Sequence, residues 1–170
     1  MPNFRAPISK INLSAIESGI IYFLIYGFVG WIIDSLYRSF ETGQIFFGGM
    51  FQSFFWPIPF APIYGFGALV LIVFTKTLWN KSPLLVVPVL GVIMTAIEYS
   101  GGELTLALLQ HRAWDYSNYF LNFRGHIDLL HGIYWMFLGW AFIKYIHPSV
   151  EKLAKKLLAR LHGVGPAELF

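Results

Sequence analysis

From Gln44 to Thr75 the chain carries no charged side chain, and that run does most to decide its class. A soluble domain must cover its surface with polar groups, and typical soluble chains are about 25% charged. Here charged residues make up 12%, hydrophobic residues 56%, and the mean hydropathy is +0.60. Lipid has to supply the missing cover. At 170 residues the length is that of one domain. The chain has no cysteine, which excludes disulfides, zinc–thiolate sites and thiol nucleophiles. The net charge of +3 and pI near 9.2 suit membrane phosphates rather than nucleic acid, given where the basic residues lie. No Walker A pattern occurs, so the chain has no P-loop of its own.

A spanning helix needs about 20 mostly apolar residues. The first candidate runs from Ser18 to Leu36. It does not read as a signal peptide, because Asp34-Ser35-Leu36-Tyr37-Arg38 follows where small residues should mark a cleavage site. Pro57, Pro59 and Pro62 divide the long uncharged run, since prolines this dense cannot sit in a regular helix. Ile45 to Trp56 is predicted as an interfacial or re-entrant segment, which must be buried against protein to satisfy its amides. Ile63 to Trp79 is the second span. The third starts near Pro83, with Glu98 and Glu103 in its later part, and the fourth covers about Ile127 to Ile146. Beyond Pro148 the pattern changes. Val150, Leu153, Ala154, Leu157, Leu158 and Leu161 recur at helical spacing among Lys152, Lys155, Lys156 and Arg160. That predicts a basic amphipathic helix lying on anionic lipid. The chain therefore divides into a multi-pass, all-α membrane domain over 1–147 and a cytoplasmic amphipathic tail over 148–170.

Four spans put both termini on one side. Nine of the twelve lysines and arginines lie on that side: Arg5, Lys10, Lys76, Lys81, Lys144, Lys152, Lys155, Lys156 and Arg160. Arg38, Arg112 and Arg124 lie on the other. Lysine and arginine accumulate on the cytoplasmic side, so the pattern predicts cytoplasmic termini in a plasma (inner) membrane. Apart from those at the cytoplasmic ends, the acidic residues and histidines then fall toward the outer leaflet. Asp34 and Arg38 are four apart and face each other on a helix. Tyr26, Gly30, Asp34 and Arg38 form one stripe, and a stripe containing glycine normally faces other helices. Glu98 lies about 22 Å from Pro83 at 1.5 Å per residue. An intramembrane carboxylate is a candidate functional group by default; the alternative is a structural ion pair with Arg38 or Arg112. His126, Asp128 and His131 cluster where the fourth span begins. Their spacing suits a proton relay or plain hydrogen bonding, and no metal or cofactor is assigned. Trp114-Asp115-Tyr116 has the composition of an interfacial aromatic belt around one carboxylate.

Several blocks, in order and spacing, are similar to a known family. They are Tyr26-x-Phe28-x-Gly30-Trp31-x-x-Asp34-x-x-Tyr37-x-Ser39, Pro62-Ile63-Tyr64-Gly65-Phe66-Gly67, Glu98-Tyr99 with Gly102, Trp114-Asp115-Tyr116-Ser117, and Asn122-x-x-Gly125-x-Ile127-x-Leu129. Over about residues 20–140 the chain resembles the bacterial ABC-transporter type IV permease family, which has small vertebrate transmembrane relatives. The resemblance implies a multi-pass membrane protein. It also marks Asp34, Tyr64, Glu98, Trp114, Asp115, Tyr116, Asn122 and Gly125 as motif positions. Two departures stand out. The family's Arg-Gly-Phe-Leu stretch and Gly-Pro become Phe47-Gly48-Gly49-Met50 and Ile58-Pro59 here, without the arginine.

Three functions compete. The first is a permease-like transport component, assembled from copies of itself or with a separate ATPase subunit, with Asp34, Arg38, Tyr64, Glu98, Trp114, Asp115, Tyr116 and Asn122 binding substrate. The second is a membrane-embedded enzyme acting on lipid or envelope substrates at the outer leaflet. In it Glu98 or Asp115 serves as general base, His131 or His126 as its partner, and Arg38 as a phosphate anchor. The third is a non-catalytic lipid-binding or assembly protein. No nucleophile elbow or HExxH motif favours the enzyme.

Overall fold

The computed structural model describes residues 15–45, 59–161 and 163. The segment expected to be re-entrant or interfacial, Ile45 to Trp56, lies outside the described residues except for Ile45. So does most of the stretch that departs from the family pattern.

Helix α1 spans Ala15–Thr42, α2 Pro62–Leu78, α3 Pro83–Leu109 and α4 Leu129–Ala141. A five-residue π turn, Phe142–Ile146, then leads into α5, His147–Leu161. Among the described residues no strand forms; one isolated bridge joins Phe123 and Ile127. Three helices are long and apolar enough to cross a bilayer, Ile16–Thr42, Pro83–Leu109 and Leu129–Arg160, and Pro62–Thr75 is a shorter apolar one. This is an all-helical membrane architecture.

Contacts give the direction of each helix. Gly91 packs against Met136, and Gly139 against Leu90, so α3 and α4 are antiparallel. Ile63 meets Gly101 and Gly67 meets Met94, so α2 opposes α3. Tyr37 meets His131 near one end of α1 while Tyr26 meets Phe142 further along, so α1 opposes α4. The bundle runs up, down, up, down. Its core draws Tyr26, Ala68, Leu71, Val86, Leu90, Met94, Phe142 and Ile143 from every span. Side chains such as Ile16, Leu24, Val73, Leu84, Val92 and Phe137 stay exposed on the outside, as lipid contact requires.

The boundary expected at Pro148 is not a break in the helix. A proline removes one N–H and clashes with the carbonyl four residues back. The π turn just before it widens the backbone, and the His147 amide donates to the Phe142 carbonyl five residues back. The amphipathic α5 therefore continues α4, with Ala154, Leu158 and Ala159 buried and Lys152, Lys156 and Arg160 exposed. Lys144 in the π turn reaches the Trp79 carbonyl and lies 4.5 Å over the Trp79 ring, tying this turn to the end of α2.

Candidate functional site

The site originates in where α2 starts. Gly27 has no side chain to keep Phe60 away, so the Ala61 amide reaches the Gly27 carbonyl at 2.9 Å. Gly30 likewise lies against the root of the Tyr64 side chain, and Gly65 against Phe23. The tetrapeptide Ile25-Tyr26-Gly27-Phe28 recurs as Ile63-Tyr64-Gly65-Phe66, and the glycine of each copy, Gly27 and Gly65, is one of the close approaches at this crossing. Because α2 starts beside the middle of α1, the C-terminal half of α1 faces α4 and the 110–128 loop. A cavity of about 180 Å³ results. Ile33, Asp34, Tyr37 and Arg38 line it from α1, Ala61, Ile63 and Tyr64 from the start of α2, and Glu98 from α3. Trp114 and Tyr116 of the loop and His131, Tyr134, Trp135 and Leu138 of α4 close it.

Three polar arrangements lie in this chamber. Asp34 pairs with Arg38 at 3.1 Å, and the Arg38 guanidinium also donates to the Ala113 carbonyl at 3.2 Å. Glu98 is only 4% exposed. The Tyr116 hydroxyl donates to one of its oxygens at 3.1 Å and the Trp135 indole to the other at 2.7 Å. Burial, and then the charge of Glu98, keep the Tyr116 hydroxyl protonated far above the ordinary tyrosine range, which makes it a dependable donor. Asp128 caps α4, accepting from the Leu130 and His131 amides at 2.8 and 3.2 Å through Oδ1. Its Oδ2 binds His131 Nδ1. His131 Nε2 bonds the Tyr37 hydroxyl at 3.1 Å, and the imidazole stacks on Tyr116 with centroids 4.0 Å apart. Glu98 thus forms neither of the ion pairs that were its alternative reading; Arg38 pairs with Asp34, and Arg112 with Asp115 at 3.5 Å. Among the described residues no three of histidine, aspartate and glutamate stand together as metal ligands.

Compared with known families, residues 21–167 match the model of one described as "Putative ABC-transporter type IV". The chain belongs to this family. No curated protein and no solved structure matches it. The matched segment takes in every wall of the chamber.

The candidate residues of this type IV family member divide by position. Asp34, Arg38, Tyr64, Glu98, Trp114, Tyr116 and His131 line the chamber; Asp115, Asn122 and His126 do not. Asp115 is exposed and accepts from the Ser117 amide and hydroxyl. Those hydrogen bonds hold its carboxyl below the ordinary range. Asn122 donates to the Ser117 and Tyr119 carbonyls at 3.0 and 3.1 Å and accepts from the Gly125 amide at 3.3 Å. These two side chains shape the loop that roofs the chamber. Gly125 adopts φ +66°, and a Cβ there would strike Arg112, Asp115 and Ser117. His126 is 1% exposed, packed on Gly102, with Nε2 3.4 Å from Glu103. Burial lowers its pKa from the ordinary 6.5, Arg112 adding to the shift and Glu103 opposing it.

Sequence reasoning passed over Tyr134 and Trp135 and took Tyr37 only as part of a motif block. The signal was spacing: Tyr37 lies three residues after Asp34, and Tyr134 and Trp135 lie three and four after His131, so each shares a helix face with a polar residue already singled out.

Proposed function

We propose that this member of the type IV family is a permease-like component whose ligand occupies the chamber at the outer-leaflet end of the bundle. One observation carries the reading: side chains from all four spans and the loop converge on a cavity holding a buried carboxylate. A carboxylate in a span is costly and marks substrate pathways, and pathways lie where helices start or break within the membrane, as α2 does. The nine-to-three split of lysine and arginine supports cytoplasmic termini in an inner membrane and hence an outward chamber. Four spans make a narrow pathway, so the unit works as several copies or with an ATPase carried on a separate chain. Affinity purification from native membranes after mild crosslinking tests this. An ATP-hydrolysing subunit should come down in fixed ratio with the chain. Recovery of the chain as a single copy with no ATPase, across several mild detergents, would sink the reading.

A second reading draws on the Asp128–His131 pair. A buried carboxylate on Nδ1 with Nε2 directed at a cavity wall is the geometry of a general base, and the enzyme reading would use it on a lipid substrate. Incubating wild type and His131→Gln with membrane lipid extract, followed by mass spectrometry, separates the two. A lipid consumed by wild type alone favours the enzyme.

A further inference from the structure

Of the carboxylates lining the chamber, Asp34 has its cation in Arg38. Glu98 has none: its two partners, Tyr116 and Trp135, are uncharged donors. Among the acidic and cationic side chains that line the chamber, Asp34 and Glu98 share the one guanidinium of Arg38, and Asp34 holds it. A buried carboxylate without a positive partner is expensive, so the compensating charge has to come from a proton or from a ligand.

The walls favour a ligand of one kind. Tyr37, Tyr64, Trp114, Tyr116, Tyr134 and Trp135 surround the space, and aromatic faces attract cations, most strongly where water is excluded. Beneath lies a second cavity of about 70 Å³ that shares Ile33, Tyr64, Trp135 and Leu138 with the chamber. Its further walls include Ala68, Leu71 and Met94, so it offers hydrocarbon rather than hydrogen bonds. The helices α1 and α4 scarcely touch through their backbones. Side chains bridge them at two levels, Tyr37 to His131 and Tyr26 to Phe142. Val29, Ile33 and Tyr134 border the cavities and are 37%, 40% and 48% exposed, which leaves a window on the lipid-facing side.

We propose that the chamber takes an amphiphile with a positively charged nitrogen head, admitted sideways between α1 and α4, its charge set against Glu98 and its hydrocarbon in the lower cavity. The inference rests on reading the chamber as the permease's binding site and names the class of its ligand.

Binding of small probes to the full chain in lipid nanodiscs tests it, read by tryptophan fluorescence against empty nanodiscs. Benzyltrimethylammonium should bind about tenfold tighter than its neutral isostere neopentylbenzene, the scale of a desolvated cation–aromatic contact. Phenylmethanesulfonate should bind least. Hexyltrimethylammonium should bind tighter than tetramethylammonium, because only it reaches the lower cavity. Glu98→Gln should bring the cation and its isostere to near equality. If that variant does not fold, the ranking on the wild-type protein still decides. Equal binding of cation and isostere, or preference for the sulfonate, overturns the cationic ligand but leaves the chamber as a binding site. Binding of none of them at millimolar concentration also overturns it, while the permease reading is judged separately by recovery of the ATPase.

Discussion

Glu98 is held by two donors and no cation, so the two ways of replacing it should differ sharply. Glu98→Gln keeps one acceptor and the shape, and should cost about 1–2 kcal/mol, the scale of one hydrogen bond left imperfect. Glu98→Lys buries a long cation with no arranged partner and should cost about 3 kcal/mol or more. Thermal unfolding in detergent compares them; a Lys variant that melts with the parent would place residue 98 in water or headgroups. Arg38 pairs with Asp34 inside the chamber, whereas Asp115 pairs with Arg112 outside it. Double-mutant cycles should therefore show coupling between Arg38 and Asp34 but additivity, within about 0.5 kcal/mol, between Arg38 and Asp115. The loop should also be acid-sensitive. Folding depresses the pKa of both His126 and Asp115, so each contributes stability that is complete above its unfolded value and lost as pH falls through its folded value. His126 acts first, below 6.5, and Asp115 in more acidic solution, below 3.8. Hydrogen exchange at the Tyr116 and Gly125 amides, corrected for intrinsic rates, should lose protection on acidification from neutral pH; unchanged protection down to the carboxylate range would contradict this.

Among the elements, the start of α2 and the 110–128 loop fix the site. The α2 start depends on bare backbone at Gly27 and Gly30, where Phe60 and Tyr64 occupy the space a side chain would need. Gly30→Leu should push Tyr64 out of the chamber wall and cost about 1–3 kcal/mol as overpacking. It should also weaken any ligand of the chamber; a variant as stable as the parent would mean that the helices separate freely there. In the loop, Gly125 combines a left-handed φ with three side chains closing over its Cα. Gly125→Ala should cost about 1–3 kcal/mol through strain and crowding together. Since the Tyr116 amide bonds the Gly125 carbonyl, the damage should pass to Glu98 through Tyr116. The π turn ahead of Pro148 shows the reverse case, a helix that absorbs a proline by widening instead of ending.

For the whole molecule, the alternating bundle puts the 110–128 loop and the α5 surface at opposite ends. A chain without cysteine allows single labels. Cysteine at Asn118, exposed in the loop, should react from outside intact cells with an impermeant maleimide, and cysteine at Ser149, exposed on α5, should react only after lysis. Labelling of position 149 from outside would invert the proposed orientation and move the chamber to the cytoplasmic leaflet. The same result would count against a ligand drawn from the outer leaflet.

Membrane class, the approximate spans and the gathering of costly polar residues toward one end could be read from residue order, because hydropathy is a local property and lipid penalises each charge on its own. Asp34, Arg38, Glu98, Trp114 and Tyr116 stood out for that reason or through their motifs. Which aromatic residues join them did not. With 19% of the chain aromatic, Tyr134 and Trp135 carry no mark in the sequence that sets them apart, and a helix's facing is settled by what packs against it. The pairing of charges was equally hidden: Glu98 could have met Arg38 or Arg112, and what decided was that Asp34 stands one turn from Arg38 while Asp115 caps the turn beside Arg112. Whether α5 is separate from the fourth span was also undecided by Pro148 itself, since a proline's effect depends on whether the preceding turn can widen. These outcomes depend on distances between segments far apart in the chain, and only the packed bundle sets those distances.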